Sequence, residues 1–205
     1  LRQTSRAWKR LMNNTLTTGI EQLGLASSGE LISDLNHYLE MLDKWNRTYN
    51  LTSIRNHEER IIKHLLDSLS IVPHLLDGSL LDVGTGAGLP GVIVALFDRD
   101  RAVTLVDSNQ KKTRFLNQVC LELKLDNSTV IHGRIEQIQT PAPFSNIVCR
   151  AFSSLKNFLA STDSLLTPQG QWLAMKGTIP VTEIAEIEAM EIERDVVSLS
   201  VPFLE

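Results

Sequence analysis

The sequence predicts an α/β fold, a doubly wound, mostly parallel sheet preceded by an N-terminal helical cap. Three observations predict it. From Ser79 onward, short apolar runs rich in β-branched residues alternate with longer helix-forming runs, the pattern of parallel strands joined by crossover helices. A glycine-rich turn, Gly84-Thr85-Gly86-Ala87-Gly88, follows the first of those strands. Before Ser79 the apolar residues recur at helical spacing.

The cap comes first. Leu31, Leu35, Tyr38, Leu39, Leu42 and Trp45 form one helical stripe, and Ile61, Ile62, Leu65, Leu66 and Leu69 form a second. Residues 1–76 are therefore expected to form a helical cap packed on a main domain of residues 77–205. Strands are predicted at 80–83, 102–106, 128–132, 146–149 and 171–175, and helices at 89–97, 111–124, 154–166 and 181–190. Asp195 to Val201 reads as a sixth strand. In such a sheet the ligand crevice lies at the carboxyl ends of the strands, where their order reverses. The tips to examine are Asp82 to Gly88, Asp107 to Asn109, Gly133 to Glu136, Arg150 to Phe152, and Lys176-Gly177.

The glycine turn is the most informative tip. Leu80-Leu81-Asp82-Val83 is a buried strand, and Pro90 suits the first turn of the following helix, where a missing N–H costs nothing. Glycines between them permit tight dihedrals and close approach of a ligand, and the helix start offers free N–H groups. Asp107 ends the second strand about 20 residues further on, the place from which a carboxylate accepts ribose hydroxyls. Its other reading is a cap for the helix that begins near Lys111. Glycines and acid together suit either a nicotinamide dinucleotide or S-adenosylmethionine. Asp82 separates the two. A carboxylate there would repel a pyrophosphate, whereas it can reach the amino group of a methionine moiety. It can also simply bond its own turn.

Composition narrows the classes. The chain has 205 residues, 42% hydrophobic, with a net charge of -4, which suits one domain with a substantial core. No apolar stretch is long enough to span a membrane, and no signal peptide is visible in the basic segment LRQTSRAWKRLMNN. Cys120 and Cys149 are the only cysteines, which fits a reducing cytoplasm and argues against a disulfide framework or a zinc site; no metal is expected. Residues 177–205 hold seven acids and one base, and the remainder holds 19 bases and 17 acids. The excess acid is thus C-terminal, which leaves room for a phosphate-binding face elsewhere.

Several stretches together resemble the small-subunit (16S) ribosomal RNA guanine-N7 methyltransferase family, also called the glucose-inhibited division protein B family. They are KWNRTYNLTSIR (44–55), HLLDSL (64–69), LLDVGTGAGLPGV (80–92), VTLVDSNQKKTRFLNQV (103–119), GRIEQI (133–138), CRAFSSL (149–155) and MKG (175–177). The resemblance implies a class I S-adenosylmethionine methyltransferase (Rossmann-like) fold, S-adenosylmethionine as cofactor, and 16S rRNA or the small ribosomal subunit as partner. It implies cofactor contacts at Gly84, Leu89, Ile135, Glu136 and Arg150. By the general methyltransferase pattern Asp107 would hold the ribose, and Asp82, Gly86 and Ser108 at the first two tips are further expected cofactor contacts. A methyltransferase sheet normally ends in a seventh, antiparallel strand. The sequence stops at Glu205, so that strand is expected to be missing.

The fourth tip agrees with an N7 acceptor. Enzymes that methylate exocyclic amines carry an Asn/Asp-Pro-Pro-aromatic stretch there, whose groups accept the amine hydrogens. This chain has Cys149-Arg150-Ala151-Phe152 instead, which offers donors and an aromatic face. Guanine N7 has a lone pair and no proton, so its methylation needs placement rather than a general base. Arg150 is the expected positioning group, at guanine O6 or at the cofactor carboxylate; its other reading is an ion pair with a helix acid. Phe152 either stacks on the base or belongs to the core. Cys149, in an apolar strand with no Pro-Cys pair, reads as structural rather than as the nucleophile of a cytosine-C5 enzyme. Lys111, Lys112, Arg114, Lys156 and Lys176 are the candidate RNA contacts, with further positive charge at Arg2, Arg6, Lys9 and Arg10. His64 and Asp67 read as a packing or hydrogen-bonding pair at the cap–sheet junction. The expected protein is a cytoplasmic monomer. A small-molecule methyltransferase, a nicotinamide oxidoreductase and a non-catalytic RNA-binding module are the alternatives.

Overall fold

The computed structural model describes residues 2–190 and 192–204, with side chains from residue 11 onward within the helical part; Arg2, Arg6, Lys9 and Arg10 lie outside the described side chains. The cap opens with α1 (Arg2–Gln22) and α2 (Gly29–Tyr49). Ser28 caps α2 by accepting the Leu31 N–H, and Asn50 ends it in the left-handed region at φ 50°. A continuous helical stretch follows: α3 (His57–Arg60), a π-helix (Ile61–Leu66) and α4 (Asp67–Leu69). The sequence reads there as an ordinary helix; the wider π turn is a departure. Ile61, Leu65, Leu66 and Leu69 are fully buried, but so, nearly, is His64.

The sheet follows with β1 (Leu80–Val83), α5 (Gly91–Phe97), β2 (Val103–Asp107), α6 (Gln110–Glu122), β3 (Ser128–His132), β4 (Phe144–Arg150), α7 (Leu155–Thr162), β5 (Leu166–Met175) and α8 (Val181–Glu186). The strands lie in the order β3-β2-β1-β4-β5 and every pairing is parallel. The order reverses between β1 and β4, which is where a doubly wound sheet opens its crevice.

Alternation along the strands divides the core. Leu80, Val103, Leu105 and Val148 face α5, α6 and the cap, while Leu81, Val83, Val106, Ile147 and Cys149 pack with Phe158 and Leu159 of α7. The cap helices therefore belong to the same apolar mass as one face of the sheet. Buried Asn146 pins the opposite end of the strands, exchanging hydrogen bonds with the Leu76 backbone and donating to the Ser79 carbonyl.

Two expectations fail. Asp195 to Val201 is not a strand, and Val196 and Val197 are half exposed. Among the described residues β5 pairs only with β4, and this segment does not add to its free edge, so no ladder stabilises it as a strand. β5 begins earlier than predicted. Pro168 and Gly170 interrupt its pairing, so that Phe144 opposes Leu166 but Asn146 opposes Gln171.

Candidate cofactor and methyl-transfer site

Asp82 organises the glycine turn from beneath. It is fully buried, and its Oδ2 accepts from Thr85 Oγ1 at 2.6 Å and from the Gly91 N–H at 2.8 Å. The bond to Gly91 engages an N–H that the sequence suggested was free for a ligand at the start of α5. Asp82 Oδ1 is equally buried and has no partner. Burial pushes the carboxyl up to about 6, opposed by the Thr85 and Gly91 bonds and by the charge of Arg150. The cap reaches the same turn, since the buried Tyr38 hydroxyl donates to the Ala87 carbonyl at 2.8 Å.

The turn is open on its upper side. Gly84 is exposed, with φ 66°, and the nearest atom to a Cβ placed on it would be Phe152 Cδ2, at 3.8 Å. Gly86 has φ 64°. Its N–H donates to Asp107 Oδ2 at 2.9 Å, joining the first and second strand tips. Asp107 Oδ1 accepts the Asn109 N–H, and Lys112 Nζ stands 3.4 Å from Oδ2. The helix cap of α6 is Asn109, whose side chain accepts the Lys111 N–H; Asp107 does not play that part. Ser108 is exposed at the tip, and its carbonyl accepts from His132 Nε2. Leu89 and Ile135 are buried, and Glu136 is exposed. Glu136 and Phe152 line one cavity of about 350 Å³ with Ser153, Asn157, Ala160 and Ser161. Phe152 also meets Phe158, with ring centres 5.6 Å apart. It is a wall of the site and an outer member of the core at once.

Arg150 sits at the end of β4. Asp82 pairs with Val148 in register, and residues two apart in a strand share a face, so Arg150 lies on the Asp82 side of the sheet. Its Nη1 donates to Asp67 Oδ2 at 2.9 Å and to the Lys63 carbonyl at 3.2 Å, and its Nη2 lies 3.3 Å from His64 Nδ1. The ion pair with a helix acid, the less functional of the two readings, is therefore present. His64 and Asp67 meet through Arg150 rather than directly. Burial, then the charge of Arg150, pushes His64 down to about 4, so its ring is neutral near pH 7. Ala151 takes φ 59°, unusual for alanine, at the step that turns the chain from Arg150 to Phe152. Cys149 is 1% exposed, and burial pushes its thiol up to about 12. It is no thiolate near neutral pH.

The basic candidates divide. Lys176 is held by Glu183 at 2.8 Å, and Lys112 lies against Asp107. Lys111, Arg114 and Lys156 are exposed without an ion pair to another described residue. Arg134, just after the third tip, is exposed in the same way. The sequence reading passed over it, although it lies inside the GRIEQI stretch. Among the described residues no three His, Cys, Asp or Glu side chains converge as a metal site would require.

This arrangement fits a cationic amino-acid ligand carrying a ribose. An unpartnered buried carboxylate oxygen suits an ammonium group, and the surface above Gly84 is clear. The fold itself has a likeness among solved structures. Coclaurine N-methyltransferase, solved with N-methylheliamine and SAH, aligns with a TM-score of 0.51 at 16% identity, covering 82% of this chain and 57% of that one. The sequence relatives are much nearer. The ribosomal RNA small subunit methyltransferase G of Methylobacillus flagellatus is 45% identical over 194 residues, 95% of this chain and 94% of its own. That of Pseudomonas paraeruginosa is 50% identical over 173 residues, 84% of this chain and 81% of its own. The family described as rRNA small subunit methyltransferase G matches residues 31–205, and the chain belongs to it.

Proposed function

We propose that this protein transfers a methyl group from S-adenosylmethionine to N7 of a guanine in 16S ribosomal RNA. The observation that carries the cofactor reading is the buried, unpartnered Oδ1 of Asp82 beneath an open glycine turn. The rRNA substrate is supported by the names of the relatives. Residues 77–205 hold the cofactor and residues 1–76 cap them, and the protein works as a cytoplasmic monomer. No described helix is long and apolar enough to cross a membrane.

When bound, S-adenosylmethionine supplies a methyl group on a positively charged sulfur. Asp82 Oδ1 would accept from its ammonium group and Asp107 from its ribose, and Ile135 and Glu136 would flank its adenine. Gly84, Gly86, Leu89 and Ser108 would form the surface that holds it. The fourth tip offers no cluster of acceptors and no thiolate, and guanine N7 needs no base. The residues at that tip therefore position. Arg150 faces the methionine end, and Phe152 walls the reacting space. Exclusion of water and placement supply the rate. Lys111, Arg114, Arg134 and Lys156, exposed around the strand tips, approach phosphates of the RNA. Lys112 and Lys176 serve first to hold Asp107 and Glu183.

The test is direct. Methyl-labelled S-adenosylmethionine is incubated with the protein and small ribosomal subunits from cells lacking it, and the labelled nucleoside is identified by chromatography. Label in 7-methylguanosine is expected. Label in another nucleoside, or none in RNA, would overturn the assignment.

A further inference from the structure

Two carboxylates with opposite needs act on Arg150. Asp67 already pairs with it at 2.9 Å. Asp82 lies on the same face of the neighbouring strand, with Oδ1 buried and unpartnered. An arginine left to choose would take the more deeply buried acceptor, where the local dielectric strengthens the pair. Two acceptors from one short helical stretch hold it instead, the Lys63 carbonyl and Asp67 Oδ2, and the His64 ring, whose Nδ1 also lies 3.1 Å from the Lys63 carbonyl, packs 3.3 Å from Nη2. The π turn at Ile61–Leu66 brings these successive groups to one guanidinium, and π turns recur where helices serve a site. Thr52 fixes the far side of the His64 ring, with Oγ1 2.8 Å from Nε2.

We propose that Asp67 and His64 are positioning residues that hold Arg150 off Asp82, so that Asp82 Oδ1 stays open to the ammonium group of the cofactor. The inference rests on the cofactor reading above. It gives the HLLDSL stretch a purpose beyond packing: the cap side supplies a clamp without touching the cofactor. A neutral His64 suits that purpose, since a second cation beside Arg150 would push the guanidinium toward Asp82.

The test uses the full chain and S-adenosylmethionine binding by calorimetry, with thermal unfolding measured in parallel. Asp67→Asn keeps the shape of the side chain and removes its charge. Binding is expected to weaken about tenfold, as Arg150 closes on the acceptor. In the double variant with Arg150→Gln nothing remains to occupy Asp82, so binding is expected to be no weaker than in Arg150→Gln alone. A merely structural role for Asp67 would lower the unfolding temperature and leave the two binding losses additive. Additive losses, or wild-type affinity in Asp67→Asn, would overturn the inference. Should Asp67→Asn fail to fold, His64→Gln carries the same comparison. A wild-type chain that takes up no S-adenosylmethionine would overturn the cofactor reading itself, an outcome distinct from either result in the variants.

Discussion

Asp82 carries most of the argument at the scale of a single residue. One oxygen holds the turn and the other is buried without a partner. Asp82→Asn keeps an acceptor for Thr85 and Gly91, so the fold should survive. Cofactor affinity should fall by roughly 1–3 kcal/mol, because a neutral amide is a poor partner for an ammonium; calorimetry of the folded variant checks this. The charge also dictates a pH dependence. The carboxyl is pushed up from 3.8 to about 6, so affinity should rise as pH climbs through about 6 and level off above it. Stability moves the other way. The folded state holds this proton more tightly than the unfolded one. That contribution is full below 3.8 and is lost as pH rises through about 6. Asp107→Ala should weaken binding by roughly 1–3 kcal/mol, partly because it frees the Gly86 N–H as well as removing the ribose acceptor. Unchanged affinity in that variant would remove the ribose assignment.

At the scale of elements, the β1–α5 turn depends on what stands below it as much as on its own glycines. Gly91 has an ordinary backbone, but a Cβ there would meet the Leu105 side chain and lie 2.7 Å from Asp82 Oδ2. Gly91→Ala should cost about 1–3 kcal/mol through overpacking. It should lower the unfolding temperature by roughly 2–4 °C for each kcal/mol, and a thermal melt decides it. This glycine could not be singled out from sequence, because its constraint comes from β2 and from Asp82 rather than from its own turn. The π-helix was hidden for a similar reason. Ile61, Leu65 and Leu69 satisfy a helical period, and nothing in that period marks the contacts that Lys63, His64 and Asp67 make with Arg150, more than 80 residues away in the chain. The extended reading of Asp195 to Val201 rested on local β propensity, which forms no strand without a partner.

At the scale of the whole molecule, the proposed RNA face rests on the charge distribution. Lys111, Arg114, Arg134 and Lys156 follow the second, third and fourth strand tips in the chain, the end of the sheet at which the proposed crevice opens. Replacing any one of them with alanine should weaken RNA binding uniformly across sequences. It should also reduce the slope of log K against log salt by about one. Lys176→Ala should change the slope less, because Glu183 already neutralises that charge at 2.8 Å. Binding titrations across a salt series read both results. Equal slopes for all variants would move the RNA to another face.

Much of this protein was written in local pattern. Alternating strand and helix periods, three glycines after a buried strand and an acid at the next tip are short-range features, and they determined the sheet, the crevice and the cofactor loop. The sequence motifs equally marked Arg150 and Asp67. What local pattern could not carry is pairing across the fold. Strand register placed Arg150 on the face of Asp82. The packing of the cap turned His64 and Asp67 toward that arginine and brought Tyr38 to the glycine turn. Neutralisation by Asp107 and Glu183 separated the engaged lysines from the exposed ones. The contacts of Arg150 and Tyr38 join residues far apart in the chain, and their distances are set when the apolar faces of cap and sheet are buried together; the two lysine pairs are closer in sequence but carry no periodic signal that marks them.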